Sequence, residues 1–423
     1  MVFNRNLLKI PISIFIILNF IFMPISYSDD DDILSDTVDV NSEIEHTTNT
    51  KKTNNDSSLN LNTRACIILD RTSQKILYGK NENTKVKMAS TTKIMTATVI
   101  LENCNLNDVI EVSKKAAGTG GSRLGLKTGD KISIHDLLYG LMLCSGNDAA
   151  VALAESCAGS IEDFSNLMNS KAKELNLLNT HFESPHGLDS DEHYTTAYEL
   201  SLLSNYALKN PIFAKIVGTK NYTITINGYP KSLSNTNELL GNLNGVYGIK
   251  TGFTNGANRC LVTACKRNNL DIICVVLGCD TKKFRTQDSI KLIEYAFSNY
   301  EVVNISDIIN SKFNSWKDNN LSKFNIIKGT SNKLNIALSN VTIDKIPIKK
   351  DDVKDINVNI TCQYNLNSPV YKNFKVGSLT VDIKNDILFD LDIVSSNDIK
   401  RKSCFNYLNS FICNFANTFE SVL

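Results

Sequence analysis

A serine and a lysine one helical turn apart are the first side chains in this sequence whose spacing points to chemistry. Ser90 stands at the start of a helical pattern and Lys93 lies three positions on, so the two side chains share a face and can touch. A serine hydroxyl is a poor nucleophile until a neighbouring base takes its proton. A lysine can take that proton only in its neutral form, which burial or another nearby cation favours. The pair therefore indicates an activated serine nucleophile.

A second candidate pair, Ser145 and Asn147, falls in a tight loop. A strongly apolar helix is predicted to end at Cys144, and another helix is predicted to begin near Asp148. A hydroxyl and an amide in such a loop can both point into a cleft. The alternative is an ordinary helix cap, a position that Ser and Asn favour.

A third motif, Lys250-Thr251-Gly252, ends a strand-like run, and another strand begins near Cys260. This placement predicts an edge strand on which Gly252 lets a substrate backbone approach closely. Lys250 can also supply the cation that favours a neutral lysine at position 93.

Each motif recurs elsewhere in the chain, so context has to select among the copies. Ser170 with Lys173 repeats the first spacing, but it falls mid-helix in a polar stretch that is typical of a solvated face. Lys127-Thr128-Gly129 repeats the third motif in a plain turn ahead of a helix. The order of the three selected motifs, each in a suitable element, favours one assembled site over coincidence.

The elements that must position these motifs include both strands and helices. Strand-like runs occur at 65–70, 74–78, 221–226, 246–251, 259–266 and 271–278, and helical patterns at 88–102, 133–143, 147–157, 161–176, 195–208 and 285–298. Strands at both ends with helices between them predict an α+β fold, an antiparallel sheet flanked by helices. This catalytic domain is predicted over residues 63–300.

The chain changes character after residue 300. Residues 301–395 contain strand-like segments without a convincing long helix, which predicts a β-rich accessory domain. Residues 396–423 have the spacing of an amphipathic helix with basic residues ahead of it, which can lie in a membrane interface or dock on the protein's own surface. Its apolar positions are Phe405, Leu408, Phe411, Ile412, Phe415, Phe419 and Val422, and the basic residues are Lys400, Arg401 and Lys402.

The N-terminal 62 residues predict export. Arg5 and Lys9 precede an apolar run from Ile10 to Met23, which is the order of a secretory signal peptide over residues 1–28. The run is short for a membrane span of about 20 residues, and an uncleaved anchor is the alternative. Residues 29–62 are acidic and polar and predict a disordered tether. We therefore expect the protein in the cell envelope, outside the cytoplasmic membrane.

Composition narrows the class of protein further. The 423 residues carry a formal net charge of +1, without the basic excess that is typical of nucleic-acid binders. A chain of this length buries a sizeable core without metals or disulfides. The 11 cysteines are an odd number with no spacing typical of a disulfide framework, and whether any of them pair stays open. Cys260, Cys265, Cys274 and Cys279 lie in or beside strand-like runs and are interpreted as core residues.

Together the motifs resemble those of the serine D-Ala-D-Ala carboxypeptidases, the low-molecular-mass penicillin-binding proteins of peptidase family S11. The resemblance is strong over residues 63–300 and weak over the β-rich domain, where it rests on residues 375–379. The resembling segments of the catalytic domain are 88–97, 118–122, 137–150, 185–189, 193–197 and 248–254.

The resemblance implies a role for each catalytic residue. Ser90 would be the acyl-enzyme nucleophile and Lys93 the base that activates it. Ser145 would relay a proton to the leaving D-alanine, and Lys250 would set the electric field around both serines. The resemblance implies no metal and no cofactor.

The resemblance also implies the substrate contacts. Asn147 would hold a substrate amide, and Thr251 with Arg285 would bind the terminal carboxylate, a task that suits guanidinium geometry. Backbone N–H groups of the nucleophile and of Phe253 would form an oxyanion hole, and Gly252 belongs to the same binding set. The implied substrate is the peptidoglycan pentapeptide stem, and β-lactams would be covalent inhibitors.

Two positions depart from the family pattern. Phe253 stands where some relatives have His or Tyr, so only a backbone role is expected there. Glu199 replaces the usual Asp, and we interpret it as a tolerated change behind the site.

Four other functions compete with this one. A class A β-lactamase needs a glutamate to activate water, and the position that would hold it is Ala172. A zinc carboxypeptidase is conceivable from His181, His186 and His193, but no H-E-x-x-H pattern is present. A DD-transpeptidase and a catalytically silent wall-binding protein share the expected fold. The intact motifs favour an exported serine D-Ala-D-Ala carboxypeptidase.

Overall fold

A computed structural model describes residues 38–43, 59–339 and 344–420, with side chains up to residue 413. The predicted signal peptide and most of the predicted tether lie outside these residues. The described chain divides into two compact units. The first comprises the chain before residue 70 with residues 76–267 and 272–294, and the second comprises 70–75, 268–271 and the chain from 295 onward.

The first unit is built on a sheet whose strands come from both ends of its sequence. The strands of this unit are β1 (Ala65–Asp70), β2 (Ile76–Lys80), β3 (Val109–Glu111), β4 (Lys131–Ser133), β5 (Asn221–Ile226), β6 (Tyr229–Ser234), β7 (Val246–Thr254), β8 (Asn258–Arg267) and β9 (Leu270–Cys279). Five of them form one sheet in the order β2-β1-β9-β8-β7, with antiparallel pairing at both edges. β8 and β9 are rich in Val, Ile, Leu and Cys and are largely buried, and the cysteines of the described chain are free thiols.

Helices between these strands build the rest of the core. They are α1 (Lys93–Asn103), α2 (Lys114–Ala117), α3 (Ile134–Leu143), α4 (Asn147–Ala158), α5 (Ile161–Glu174), α6 (Ala197–Ala207), α7 (Pro211–Val217) and α8 (Lys282–Asn299). The side chains of Ser133, Ser160 and Thr196 cap α3, α5 and α6 by accepting from backbone N–H groups. α1 is buried on nearly every side because apolar and small residues surround its axis.

The predicted α+β class is confirmed, and the observed elements of the first unit follow the predicted ones closely. One difference bears on the site, because the predicted helix 88–102 begins with a 3₁₀ turn, Ala89–Thr92, and continues as α1. Five elements of this unit were not predicted, because short elements and strands exposed at most positions leave little hydrophobic periodicity. They are β3, β4, β6, α2 and α7.

The second unit contains β-structure and one long helix. Its elements are β10 (Tyr300–Asn304), α9 (Ile305–Asn320), β11 (Asn325–Ile327), β12 (Ile336–Leu338), β13 (Lys345–Lys349), β14 (Ile356–Cys362), β15 (Asn365–Asn367), β16 (Lys375–Ile383) and β17 (Asp386–Ser395). An antiparallel sheet has the order β12-β17-β16-β14. The expectation of no long helix is wrong for α9. Ile305, Ile309 and Phe313 are buried at helical spacing, but Asn and Ser at the other positions obscure the pattern.

The C-terminal helix α10 (Cys404–Glu420) starts later than residue 396, where the sequence predicted it. Residues 396–402 still belong to the second unit, since Ile399 is buried and exchanges backbone hydrogen bonds with Val370. On α10 the side chains of Phe405, Leu408, Phe411 and Ile412 are more than half exposed. Across the residues described above, no helix is both long enough and apolar enough to cross a membrane.

Candidate active site

The 3₁₀ turn Ala89–Thr92 presents Ser90 at the N-terminal end of α1. The Nζ atom of Lys93 lies 2.7 Å from Oγ of Ser90, and Lys93 is completely buried. Ala89 has a φ of 49°, a left-handed conformation that is costly for a residue with a Cβ atom, by about 1–3 kcal/mol. The fold therefore holds the nucleophile turn in a conformation that the local sequence does not favour.

Oxygens from two other segments also contact the Lys93 amine. Nζ donates to Oδ1 of Asn147 at 2.7 Å and to the carbonyl of His186 at 3.0 Å. Asn147 comes from the first turn of α4, and His186 comes from a loop that packs on the nucleophile turn. That loop requires Gly187, because its φ is 90° and a Cβ atom there would overlap the carbonyl of Ala89.

Ser145 lies in the loop between α3 and α4, as predicted. It is nearly buried, and its φ of 61° is again left-handed. Asn147 donates from Nδ2 to the carbonyl of Gly120, and its backbone N–H donates to the carbonyl of Ser122. The α3–α4 loop is thus tied to the segment around residue 120.

Asp148 is a structural residue of this region that the sequence did not single out. Its buried carboxylate accepts backbone N–H groups of Leu124, Gly125 and Leu126 at 2.7–2.9 Å. An Asp in the first turn of a helix looks like a capping residue, so its long-range role had no local signal.

β7 forms the opposite wall of the cleft. Lys250 is 1% exposed, and Oγ1 of Thr251 lies 2.7 Å from Oγ1 of Thr236. A Cβ atom added to Gly252 would lie 3.1 Å from the backbone nitrogens of Ser90 and Thr91. Gly252 therefore lets the nucleophile turn approach β7 closely, in addition to any substrate backbone.

The residues after this motif are held by contacts from two other segments. The guanidinium of Arg259 lies 3.9 Å from the centre of the Phe253 ring. Asp189 accepts from Oγ1 of Thr254 at 2.7 Å and from the backbone N–H of Gly256 at 2.8 Å. Glu199 lies elsewhere, where it accepts from the backbone N–H of residue 179 and from Thr180, outside the cleft.

The cleft has a volume of about 420 Å³, counting its solvent-open part, and it brings together residues from all three motifs. Its lining includes three cationic side chains, Arg259, Lys282 and Arg285, and no carboxylate. Such a pocket suits an anionic group on a ligand. The lining residues are Ser90, Ser122, Ser145, Thr236, Thr251, Gly252, Phe253, Arg259, Lys282 and Arg285.

Arg285 is nearly buried, on the first turn of α8, and it has a carboxylate partner within the protein. A terminal nitrogen of its guanidinium donates to Oε1 of Glu238, which also accepts from Oγ1 of Thr286 at 2.6 Å. Glu238 was not among the predicted site residues, because a single glutamate in a polar stretch carries no signal of its partner.

Two of the three histidines of the zinc alternative, His186 and His193, have separate hydrogen-bond partners. His193 Nε2 lies 2.8 Å from Oγ1 of Thr92 and its Nδ1 accepts from the backbone of Glu183, while His186 Nδ1 accepts from a backbone N–H. Burial lowers the pKa of His186 to about 3 and that of His193 to about 4. No cluster of metal-binding side chains occurs in the described residues.

Comparison with known sequences identifies two matching regions. Residues 49–281 match the family model described as D-alanyl-D-alanine carboxypeptidase, and residues 316–401 match the one described as penicillin-binding protein 5, C-terminal domain. The chain is 32% identical to the D-alanyl-D-alanine carboxypeptidase DacF of Bacillus subtilis, over 82% of this chain and 88% of that protein. It is 39% identical to the D-alanyl-D-alanine carboxypeptidase DacC of Escherichia coli, over 57% of this chain and 62% of that protein.

Solved structures of proteins with these activities share the fold of this chain. The structure resembles that of the D-alanyl-D-alanine carboxypeptidase DacD from Francisella tularensis with a TM-score of 0.68 and 27% identity, covering 84% of this chain and 98% of that one. It also resembles the Streptomyces K15 DD-transpeptidase with a TM-score of 0.55 and 34% identity, covering 57% of this chain and all of the other.

Proposed function

Because the chain belongs to the D-alanyl-D-alanine carboxypeptidase family, peptidase family S11, we propose that it removes the terminal D-alanine from peptidoglycan pentapeptide stems by a serine mechanism. The observation that carries this proposal is the 2.7 Å contact between Ser90 Oγ and the buried Lys93 amine, at the edge of a cationic cleft. A serine–lysine pair supports acyl transfer, and the cations suit a substrate that ends in a carboxylate.

Lys93 acts as the base in the first step. A neutral amine keeps two N–H donors and one lone pair, and the oxygens of Asn147 and His186 lie at donor distance. With its N–H groups directed at those acceptors, the amine takes the Ser90 proton on its lone pair. As the proton moves to Lys93, the serine oxygen bonds to the scissile carbonyl carbon, and the backbone N–H groups of Ser90 and Phe253 stabilise the oxyanion, worth on the order of 3 kcal/mol each.

The acyl-enzyme forms when the carbon–nitrogen bond breaks. Ser145 relays the proton from Lys93 to the departing amine of D-alanine, and the buried charge of Lys250 sets the electric field around both serines. Asn147 holds a substrate amide, while Thr251 and Arg285 bind the terminal carboxylate. Water then attacks the ester, which releases the shortened stem and regenerates the serine.

A DD-transpeptidase is the second candidate, because the K15 enzyme with that name shares the fold. The first half of the reaction is the same, and the acceptor is an amine in place of water. Both functions predict that β-lactams acylate Ser90, whereas a silent wall-binding protein would not react.

We also propose the placement and domain division of the chain. Residues 1–28 direct export, 29–62 form a tether, 63–300 form the catalytic domain, 301–395 form the accessory domain and 396–423 carry the membrane-binding helix. The exposed apolar side chains of α10 support a peripheral position on the outer face of the cytoplasmic membrane. No nucleic-acid partner is proposed.

The proposal is tested by D-alanine release from diacetyl-Lys-D-Ala-D-Ala, with Ser90→Ala as the control. We expect release by the wild type and a loss of at least about a thousandfold in the variant. A folded wild type that releases no D-alanine but is labelled by penicillin would favour the transpeptidase, and one that does neither would favour a silent protein.

A further inference from the structure

Glu238 is a carboxylate beside the cleft that the proposed mechanism does not use. Its Oε1 accepts from a terminal nitrogen of Arg285 and from Oγ1 of Thr286. The side chains of Arg285 and Glu238 are 4% and 17% exposed. Burial works to raise the pKa of Glu238, but the charge of Arg285 together with the hydrogen bonds that the carboxylate accepts outweighs burial and lowers the pKa, so Glu238 is ionised.

The contact with Glu238 uses one terminal nitrogen of the Arg285 guanidinium. Nε of Arg285 is buried and has no hydrogen-bond partner among the residues that the structure describes. Arg285 also lines the cleft together with Thr251 and Lys282. A guanidinium binds a carboxylate best through two parallel N–H groups, which requires that its plane be held in one orientation.

The segment that carries Glu238 also contacts the other proposed carboxylate ligand. Thr236, two residues earlier, lies 2.7 Å from the Thr251 hydroxyl. Asn237, between them, donates from Nδ2 to the carbonyl of Gly248 at 3.1 Å, which ties the segment to β7. Residues 236–238 therefore contact both Thr251 and Arg285, and the buried Asn237 between the two contacting residues fixes this segment to β7.

We propose that Glu238 is a positioning residue, which holds Arg285 by one terminal nitrogen so that the remaining N–H groups receive the terminal carboxylate of the substrate. The inference rests on the proposed function. In the empty enzyme Glu238 also compensates a buried guanidinium charge, which would otherwise be costly. When the substrate binds, its carboxylate brings a second negative charge close to the Arg285–Glu238 ion pair. The cationic side chains of Lys282 and Arg259, which also line the cleft, offset that charge.

The test compares steady-state constants for D-alanine release by Glu238→Ala and Glu238→Gln. We expect KM to rise about tenfold in Glu238→Ala with kcat within about threefold of wild type, since the contact acts on binding. In Glu238→Gln the amide oxygen can still accept both hydrogen bonds, so KM should stay within about threefold. An unchanged KM in Glu238→Ala would overturn the proposal.

A double-mutant cycle with Arg285→Gln separates positioning from a general structural effect. If Glu238 acts through Arg285, Glu238→Ala should change KM less than twofold in the Arg285→Gln background. An equal rise in both backgrounds would overturn the assignment. Glu294→Ala is the control, because Glu294 is about as exposed as Glu238 and holds an arginine, Arg267, at 2.6 Å outside the cleft lining. This variant should leave KM unchanged.

Two further measurements keep the proposal testable. If Glu238→Ala does not fold, Thr286→Val removes the second hydrogen bond to Glu238 and should raise KM about threefold, and no change would count against the proposal. If the wild type releases no D-alanine, the proposed function fails, and the rate constant for penicillin acylation replaces KM, since penicillin carries the equivalent carboxylate. Equal acylation by wild type and Glu238→Ala would then overturn the Glu238 assignment alone.

Discussion

At the scale of single residues, the nucleophile turn contacts His193, one of the histidines that the zinc alternative had included. His193 accepts the Glu183 N–H through Nδ1 and contacts the Thr92 hydroxyl through Nε2, next to Lys93. A neutral imidazole has one acceptor and one donor, which matches these two partners. Protonation would turn the acceptor into a donor that faces the N–H of Glu183.

The pH dependence of stability should therefore contain a contribution from His193. Its pKa is about 4 in the folded protein, because burial lowers it from the usual 6.5. Between these values the unfolded chain binds a proton that the folded protein excludes, so stability is lost as pH falls from about 6.5 to about 4. The full loss is on the order of 3 kcal/mol.

Thermal unfolding of wild type and His193→Gln across this pH range measures the contribution. The variant should be less stable at pH 7 and should show a shallower decline on acidification, with His186 accounting for part of what remains. Parallel curves for the two proteins would contradict the assignment.

At the scale of elements, two side chains on the first turn of α4 connect the segments that surround the cleft. Asn147 reaches Lys93 and the carbonyl of Gly120, while Asp148 binds three consecutive backbone N–H groups. Both residues look like capping residues in the sequence. In the structure they connect α4 to the nucleophile on one side and to residues 124–126 on the other.

Replacing Asp148 should loosen this region, because three buried N–H groups would lose a charged acceptor. We expect Asp148→Ala to lower the free energy of unfolding by about 3 kcal/mol or more and the melting temperature of the catalytic unit by roughly 10 °C. Penicillin acylation should slow as well, since the α3–α4 loop carries Ser145. The measurements are calorimetry and acylation rates.

Asp163→Ala provides the matched control for this prediction. Asp163 also occupies the first turn of a helix, α5, but it is exposed and bonded only locally to Ser160. Asp163→Ala should lower the free energy of unfolding by less than about 1 kcal/mol. Similar losses in both variants would show that Asp148 acts as a cap and not as a tertiary anchor.

At the scale of the whole molecule, the chain combines a catalytic unit with a second unit that ends in an exposed amphipathic helix. α10 begins after residues 396–402, which still pair with the second unit. Four large apolar side chains on its first turns are exposed, and Lys400, Arg401 and Lys402 precede it. This combination supports binding to an anionic membrane surface.

Truncation after Lys402 should abolish membrane binding and spare catalysis. We expect at least a tenfold loss of co-sedimentation with vesicles that contain anionic lipid, and unchanged release of D-alanine from a soluble peptide. Cutting at residue 396 would also remove the buried Ile399, so it is the less informative deletion. Equal co-sedimentation of full-length and truncated proteins would rule out α10 as the membrane-binding element.

Much of the fold and the main site residues could be predicted from the sequence, because both leave local patterns. Helical periodicity, caps and apolar strand runs arise within short windows, and they located most elements of the catalytic unit within a few residues. Motif order selected Ser90, Ser145 and Lys250 over their repeats. In the structure Ser90 and Ser145 line one cleft together with β7, the strand that carries Lys250. Ser170 is instead exposed, and its hydroxyl donates to the carbonyl of Asn166 within its own helix.

Contacts between distant segments were decided only by the tertiary structure. The pairing of Glu238 with Arg285, the Asp148 anchor and the approach of Gly252 to the nucleophile turn join residues 22 to 162 positions apart. Periodicity and composition do not predict such pairs, because they describe only neighbours along the chain. The same residue in the same local sequence can have a different distant partner in another fold. Which charges meet in the cleft follows from how the sheet edge and α1 pack, and a single sequence does not record that packing.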